Sequence, residues 1–225
     1  MNNLTLRLLN LFVLLASLSV HEYAHARSAY KLGDPTAAEA GRMTLNPLAH
    51  VEPLGFLMML FAPVAWAKPV PVNSSRFRRD IPLKQANAIV SFSGPLSNII
   101  LAMIIYILIV GFNYLPIPTS NGAMNVMRVT SVLLQLAYML NLNLAIFNLL
   151  PIPPLDGFNL IGQWLPQNIY YFLIRNSRYF FMAIILSVIV APQLLTSVLG
   201  VLRTPLSYVV QLPGMLLNNL LQQVL

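Results

Sequence analysis

His21-Glu22-Tyr23-Ala24-His25 closes an apolar run that begins at Leu8. On an α-helix His21 and His25 lie one above the other, one turn apart, with Glu22 set about 100° around the axis. Two imidazoles at that spacing are a zinc-ligand pair, and the adjacent carboxylate is placed to handle the protons of an activated water. Soluble enzymes use the same spacing, so what matters here is the setting. Ionisable side chains inside a membrane segment are costly and mark functional sites by default. A buried histidine pair can also be a mere polar contact. Three features favour metal: the membrane setting, a single distant aspartate at a rigid turn, and the lack of competing acids.

A catalytic zinc takes three protein ligands and keeps a fourth position open. The chain has no cysteine, which excludes thiolate ligands and disulfides, so the third ligand must be His or carboxylate. Asp156 is the one acid after Asp80, and it follows Pro151-Ile152-Pro153-Pro154-Leu155, a run whose prolines stop a helix and fix an extended turn. The expected ligands of one zinc ion per chain are therefore His21, His25 and Asp156, with Glu22 as general base. A tetrahedral intermediate would also need a donor aimed at its oxyanion. Asn148 is a candidate, with Asn143 and His50 as competitors, and a helix-to-helix hydrogen bond is the plainer role for Asn148. His50, near Glu52, reads as structural or as a support to the ligands rather than a ligand itself.

The elements that must carry these residues are membrane helices. The chain of 225 residues is 57% hydrophobic and 8% charged, far from the roughly one-quarter charged residues of soluble domains. Mean hydropathy is +0.71. At about 20 residues per crossing, the expected fold is an all-α polytopic bundle of about five to six spans. It forms a single domain over 1–225, with a core over about 4–160 and C-terminal spans over 168–225. The first helix is expected over 4–32, retained rather than cleaved as a signal peptide, and stopped by Gly33-Asp34-Pro35. Residues 41–47 look like a strand running into a turn, and 55–66 are apolar but too short for a crossing, which suits a re-entrant segment. Lys68-Pro69-Val70-Pro71-Val72-Asn73 should be extended, because alternating prolines forbid helix. Irregular backbone at membrane depth is tolerated where it lines a cavity, so these six residues are candidates for a substrate groove.

Further helices are expected over 81–114 and 126–149, then a span over 169–190 and a last span or interfacial helix over 205–225. The second helix carries Ser91-Phe92-Ser93-Gly94-Pro95-Leu96-Ser97-Asn98, whose small residues allow close helix contact, with Asn98 a candidate to support the site. The net charge of +7 is concentrated around Arg76, Arg78 and Arg79, with Lys68 and Lys84 near them. That is a topology signal and a lipid anchor rather than a nucleic-acid surface. If this loop and the end of the first helix are both cytoplasmic, the second helix leads out and the third returns. Asp156 then arrives on the side of His25.

These pieces, with Gly41-Arg42-Met43-Thr44-Leu45-Asn46-Pro47-Leu48-Ala49-His50 and Phe147-Asn148 through Asp156-Gly157, occur together over about 15–160 in an order that resembles the site-2 proteases. These are polytopic zinc metalloproteases that cut peptide bonds within membranes. The resemblance implies zinc on His21, His25 and Asp156, Glu22 as base, Asn148 as an oxyanion or substrate-positioning residue, and pairing of an unwound substrate with the region from Thr44 to Asn73. Strand addition of that kind would hold a helical peptide open for attack. Glu52 departs from the aspartate common in that pattern. No PDZ-like or regulatory domain is evident, which implies a compact form.

The expected activity is intramembrane endopeptidase action on transmembrane segments, in regulated proteolysis or clearance of signal-peptide remnants. The partners are a substrate helix and the lipid bilayer, with no nucleic acid, in a bacterial inner membrane with the site toward the cytoplasm. A metal-ion transporter is the alternative, although the helices after Asp156 carry no acid to line a route. A catalytically inactive scaffold that binds membrane helices is another, and it would not need Glu22.

Overall fold

The computed structural model describes residues 3–51 and 68–224. Among them are eight α-helices, α1 (Asn3–Lys31), α2 (Thr36–Glu39), α3 (Leu83–Asn113), α4 (Asn121–Asn148), α5 (Asp156–Ile161), α6 (Gln167–Arg175), α7 (Ser177–Val190) and α8 (Pro192–Val224). Short 3-10 turns occupy Pro47–Ala49, Ser74–Arg76 and Gly162–Trp164. The fold is all-helical, and no strand forms among the described residues.

The stop after α1 is the one its sequence encodes. Gly33 takes φ 102°, the Gly33 amide bonds Tyr30 O at 3.0 Å, and the Asp34 amide bonds Ala29 O at 3.0 Å. This is a Schellman cap, in which a left-handed glycine lets two amides reach back to orphan carbonyls. The same device ends α2, where Gly41 has φ 66° and the Arg42 amide bonds Ala37 O at 2.7 Å. The strand expected over 41–47 is therefore absent. Gly41 caps a four-residue helix, the Thr44 hydroxyl accepts from the Asn46 amide, and Asn46 in turn caps the 3-10 turn at Pro47–Ala49.

Helix α3 is the centre of the packing and touches α1, α4, α5 and α8. Near the loop end of α1, Ala29 and Leu32 pack on Phe77, Ala86 and Val90. Farther along α3, Ala102 and Ile105 pack on Tyr138 and Leu142 of α4 and on Val210 of α8. Large apolar side chains such as Leu8, Phe12, Ile100, Ile104 and Leu108 point outward. On helices this long, such faces suit hydrocarbon. Among the described residues three helices are long and apolar enough to cross a membrane, α1 from Leu4, α3 and α4. The chain is an integral membrane protein of that kind.

The C-terminal third is divided differently from expectation. In place of one span over 169–190 there are α6 and α7, separated at Asn176, whose side chain donates to Phe172 O at 2.7 Å and closes α6 with its own polar group. Helix α8 begins at Pro192 rather than 205 and carries Pro205 and Pro213 inside it. The re-entrant segment expected over 55–66, and Glu52, lie outside the described residues.

Residues 68–73 are extended, as their prolines require, but they pair with no strand among the described residues. Lys68 donates its amide to His50 O at 2.9 Å, and Asn73 donates its amide to Asp34 Oδ2 at 2.7 Å. Asp34 is buried and uses its other oxygen for the Thr36 amide and hydroxyl, so one carboxylate ties the end of α1 to this strap. Arg76 and Glu39 make an exposed two-bond ion pair at 2.6 and 2.9 Å, and the Arg76 guanidinium holds the Glu39 carboxyl below its ordinary range.

Candidate metal centre

His21 and His25 stack on the inner face of α1, both buried. Their Nε2 atoms lie 3.0 Å apart, and Asp156 Oδ2 lies 3.1 Å from one and 3.2 Å from the other. Asp156 opens α5, and its approach is fixed by Gly157, where any Cβ would collide with the Leu149 and Leu150 carbonyls at the end of α4. Phe158, 1% exposed and stacked on Tyr170 at 5.7 Å, anchors the same turn. The ligand set thus joins α1 to α5 across 131 positions of sequence.

What makes these atoms a cation site is where their protons are. His25 Nδ1 is 2.7 Å from Val90 O, and His21 Nδ1 is 2.6 Å from Asn98 Oδ1. A carbonyl oxygen can only accept, so each neutral imidazole carries its proton on Nδ1 and turns an Nε2 lone pair inward. Two lone pairs and a carboxylate oxygen then converge with no proton to share. Among the described residues no Lys or Arg lines the cavity beside Glu22 and Asp156. Zinc bonds of about 2.0–2.1 Å in a tetrahedron need ligand atoms about 3.3–3.4 Å apart, close to the spacing observed. The donor set and its geometry fit zinc.

Helix α3 backs the pair at Gly94. A Cβ there would fall 2.7 Å from His21 Nε2 and closer still to His25 Nε2, so only a glycine lets α3 come this near. Pro95 follows it and is fully buried.

The three ligand residues and Glu22 open onto a cavity of about 550 Å³, together with Pro69, Val70 and Val72 of the strap, Ser91 of α3 and Asn148 of α4. Glu22 Oε2 accepts the Val70 amide at 2.8 Å, which ties the carboxylate to the strap. Of the six groove residues expected, Lys68, Pro71 and Asn73 are not part of this lining. Lys68 O accepts from Arg42 at 2.6 Å, and the Asn73 side chain caps the turn at Ser74–Arg76. Asn148 faces the cavity and donates to Leu144 O at 3.0 Å. Asn143 and His50 do not line it. His50 donates through Nε2 to Thr44 O at 2.8 Å, and its own carbonyl holds Lys68, a structural arrangement.

Several lining residues carry no motif of their own. Asn87, Ser74, Asn159 and Tyr170 reach the cavity. Their positions depend on how the strap and α6 fold back, which spacing along the chain does not reveal. Ser17 and Asn141 lie behind His21, and the only signal for them is that polar residues in apolar helices need partners.

Residues 113–192 match the model described as peptidase family M50. The chain is 41% identical over 160 residues to YwhC of Bacillus subtilis, assigned as a zinc metalloprotease, covering 69% of this chain and 68% of that one. Rip2 of Mycolicibacterium smegmatis and Rip2 of Mycobacterium tuberculosis, with the same assignment, are 29% and 30% identical over 64% of this chain. The chain spans about half the length of the Rip2 proteins, 52% in each. No solved structure matches it.

Proposed function

Because the chain belongs to peptidase family M50, the site-2 proteases with zinc as cofactor, we propose that it is an intramembrane endopeptidase that cuts transmembrane segments of other membrane proteins. The observation that carries this reading is the convergence of three proton-free ligand atoms beside Glu22 in a cavity edged by an extended strap. His21, His25 and Asp156 hold the metal. When bound, zinc supplies the Lewis acidity that makes water nucleophilic near neutral pH.

The chain's own groups do the rest. Glu22 takes a proton from the attacking water and returns it to the leaving amine. The Val70 amide keeps Glu22 facing the cavity. Asn148 is suited to steady the carbonyl oxygen as it becomes an oxyanion. The substrate lies extended along the strap, at Pro69, Val70 and Val72 where it lines the cavity. With the basic loop on the cytoplasmic side of a bacterial inner membrane, α3 leads out and α4 returns, bringing Asp156 back to the histidines. The C-terminal helices complete a bundle of about five to six spans.

Purified protein in detergent, loaded with zinc, is expected to cleave a single-pass model substrate within or next to its transmembrane segment. Chelation should stop the reaction, and Asp156→Ala should lose both zinc and activity. Activity that survives chelation, or a wild type that binds zinc and leaves every transmembrane substrate intact, sinks the reading.

Val70→Pro provides a sharper check on the base. It deletes the amide that Glu22 Oε2 accepts while suiting a segment already extended between prolines. Cleavage should fall at least about tenfold with zinc still bound, more than for Val70→Ala, which keeps the amide and trims only packing against Ala26, Ala37 and Met43. Equal turnover for the two variants would show that the amide does nothing for Glu22.

A further inference from the structure

Behind the ligand pair, the two histidines are held by different means. His25 gives its Nδ1 proton to a main-chain carbonyl, Val90 O. His21 gives its proton to a side-chain amide, and an amide can turn over and offer nitrogen in place of oxygen. An Asn98 reversed in this way would donate toward His21, favour the proton on Nε2 and point that proton at the metal position. Something must therefore keep Asn98 in place.

We propose that Asn141 is that positioning residue, and that Asn98 and Asn141 form a buried relay which fixes His21 with its Nε2 lone pair toward the zinc. This rests on the zinc reading of the site and goes beyond it. Asn141 Nδ2 donates to Ala137 O at 2.8 Å, and a carbonyl accepts only, so the orientation of the Asn141 amide is settled. The same nitrogen donates to the Ser17 hydroxyl at 2.9 Å. Asn141 Oδ1 is then left to accept, and Asn98 Nδ2 donates to it at 2.8 Å. Asn98 Nδ2 also donates to Ser17 O at 3.3 Å, a second acceptor that cannot reverse. Only Asn98 Oδ1 remains, 2.6 Å from His21 Nδ1.

Each step leaves the next group one choice. Both amides are 0% exposed and Ser17 is 2% exposed, so no water competes for these bonds. Asn141 on α4 touches no metal ligand, yet through Asn98 on α3 it sets the tautomer of a ligand on α1. Partners that orient a ligating histidine are worth about 10–100-fold in metal affinity.

The test uses full-length protein in detergent, with histidine nitrogens labelled. The chain has three histidines, so each imidazole can be followed separately. In metal-free protein at mildly alkaline pH, wild-type His21 should carry its proton on Nδ1. Asn141→Leu should shift it to a mixture of tautomers while the His25 and His50 signals stay in place, and Co²⁺ affinity should drop about tenfold. Asn98→Ala, which removes the oxygen itself, should lower it by about 10–100-fold and serves if Asn141→Leu does not fold. An unchanged His21 tautomer with Co²⁺ affinity within twofold of wild type in a folded variant overturns the relay, whatever happens to the melting temperature. Wild-type protein that takes up no Co²⁺ defeats the metal reading instead, and the tautomer signal still decides the relay.

Discussion

Glu22→Gln is expected to end peptide-bond cleavage while leaving one zinc per chain. Glutamine has nearly the shape of glutamate, and its amide oxygen can accept the Val70 amide as Glu22 Oε2 does at 2.8 Å, so the side chain should stay in place. The three ligands are untouched. What is lost is the ability to take a proton from water, and positioned general bases contribute roughly 10²–10⁴-fold. A loss of about 10³-fold in turnover, with wild-type zinc content and melting temperature, is the expected signature. A variant that retains a tenth of wild-type turnover would remove Glu22 from the mechanism and leave the base unassigned.

Gly94→Ala should act on the other half of the chemistry, by excluding the metal. The added methyl would sit 2.7 Å from His21 Nε2 and closer to His25 Nε2, the two atoms whose lone pairs face the ion. Helix α3 cannot back away, because Val90 is packed into the cluster with Ala29, Leu32, Phe77 and Ala86, while Asn98 is bonded to α1 and α4. The imidazoles must swing outward instead. Overpacking of this kind costs about 1–3 kcal/mol of stability, so the helical fold should survive. Zinc affinity should fall by more than about 100-fold and cleavage with it, given the ligand distortion involved. Gly111→Ala, on the same helix with nothing within 4 Å of the added carbon, is the control and should bind zinc normally. Competition with a coloured chelator measures both. Wild-type zinc affinity in Gly94→Ala would mean that α3 stands farther from the histidines than this structure has it.

How much of this was legible beforehand depended on whether a local signal had one physical reading. The spacing of His21 and His25 fixes a shared helix face wherever the helix lies, and Gly33-Asp34-Pro35 has few uses other than a left-handed cap. Asp156 stood out because the chain has so few acids that elimination was informative. The region over 41–47 had two readings. Glycine before a mixed polar and apolar run suits a strand, but α2 is four residues long, too short to show a helical period, so the role of Gly41 as its cap was hidden. Asn176 gives no sign within an apolar stretch, because its helix-ending bond is made by a side chain to its own preceding turn. Asn141 marks the outer limit. An asparagine within a membrane helix announces that it has a partner, and only the packing of α1, α3 and α4 says that the partner leads to His21.

The ligands also come from far apart in the order in which the chain is made. His21 and His25 are translated first and Asp156 last, after α3 and α4, with 131 positions between His25 and Asp156. A nascent chain that has emerged only through α4 holds two imidazoles and no carboxylate to complete the set, so it binds zinc weakly at best. Peptide-bond cleavage therefore waits on the docking of α5. The biosynthetic order thus leaves the metal centre incomplete while the chain's own helices are still entering the bilayer unpacked.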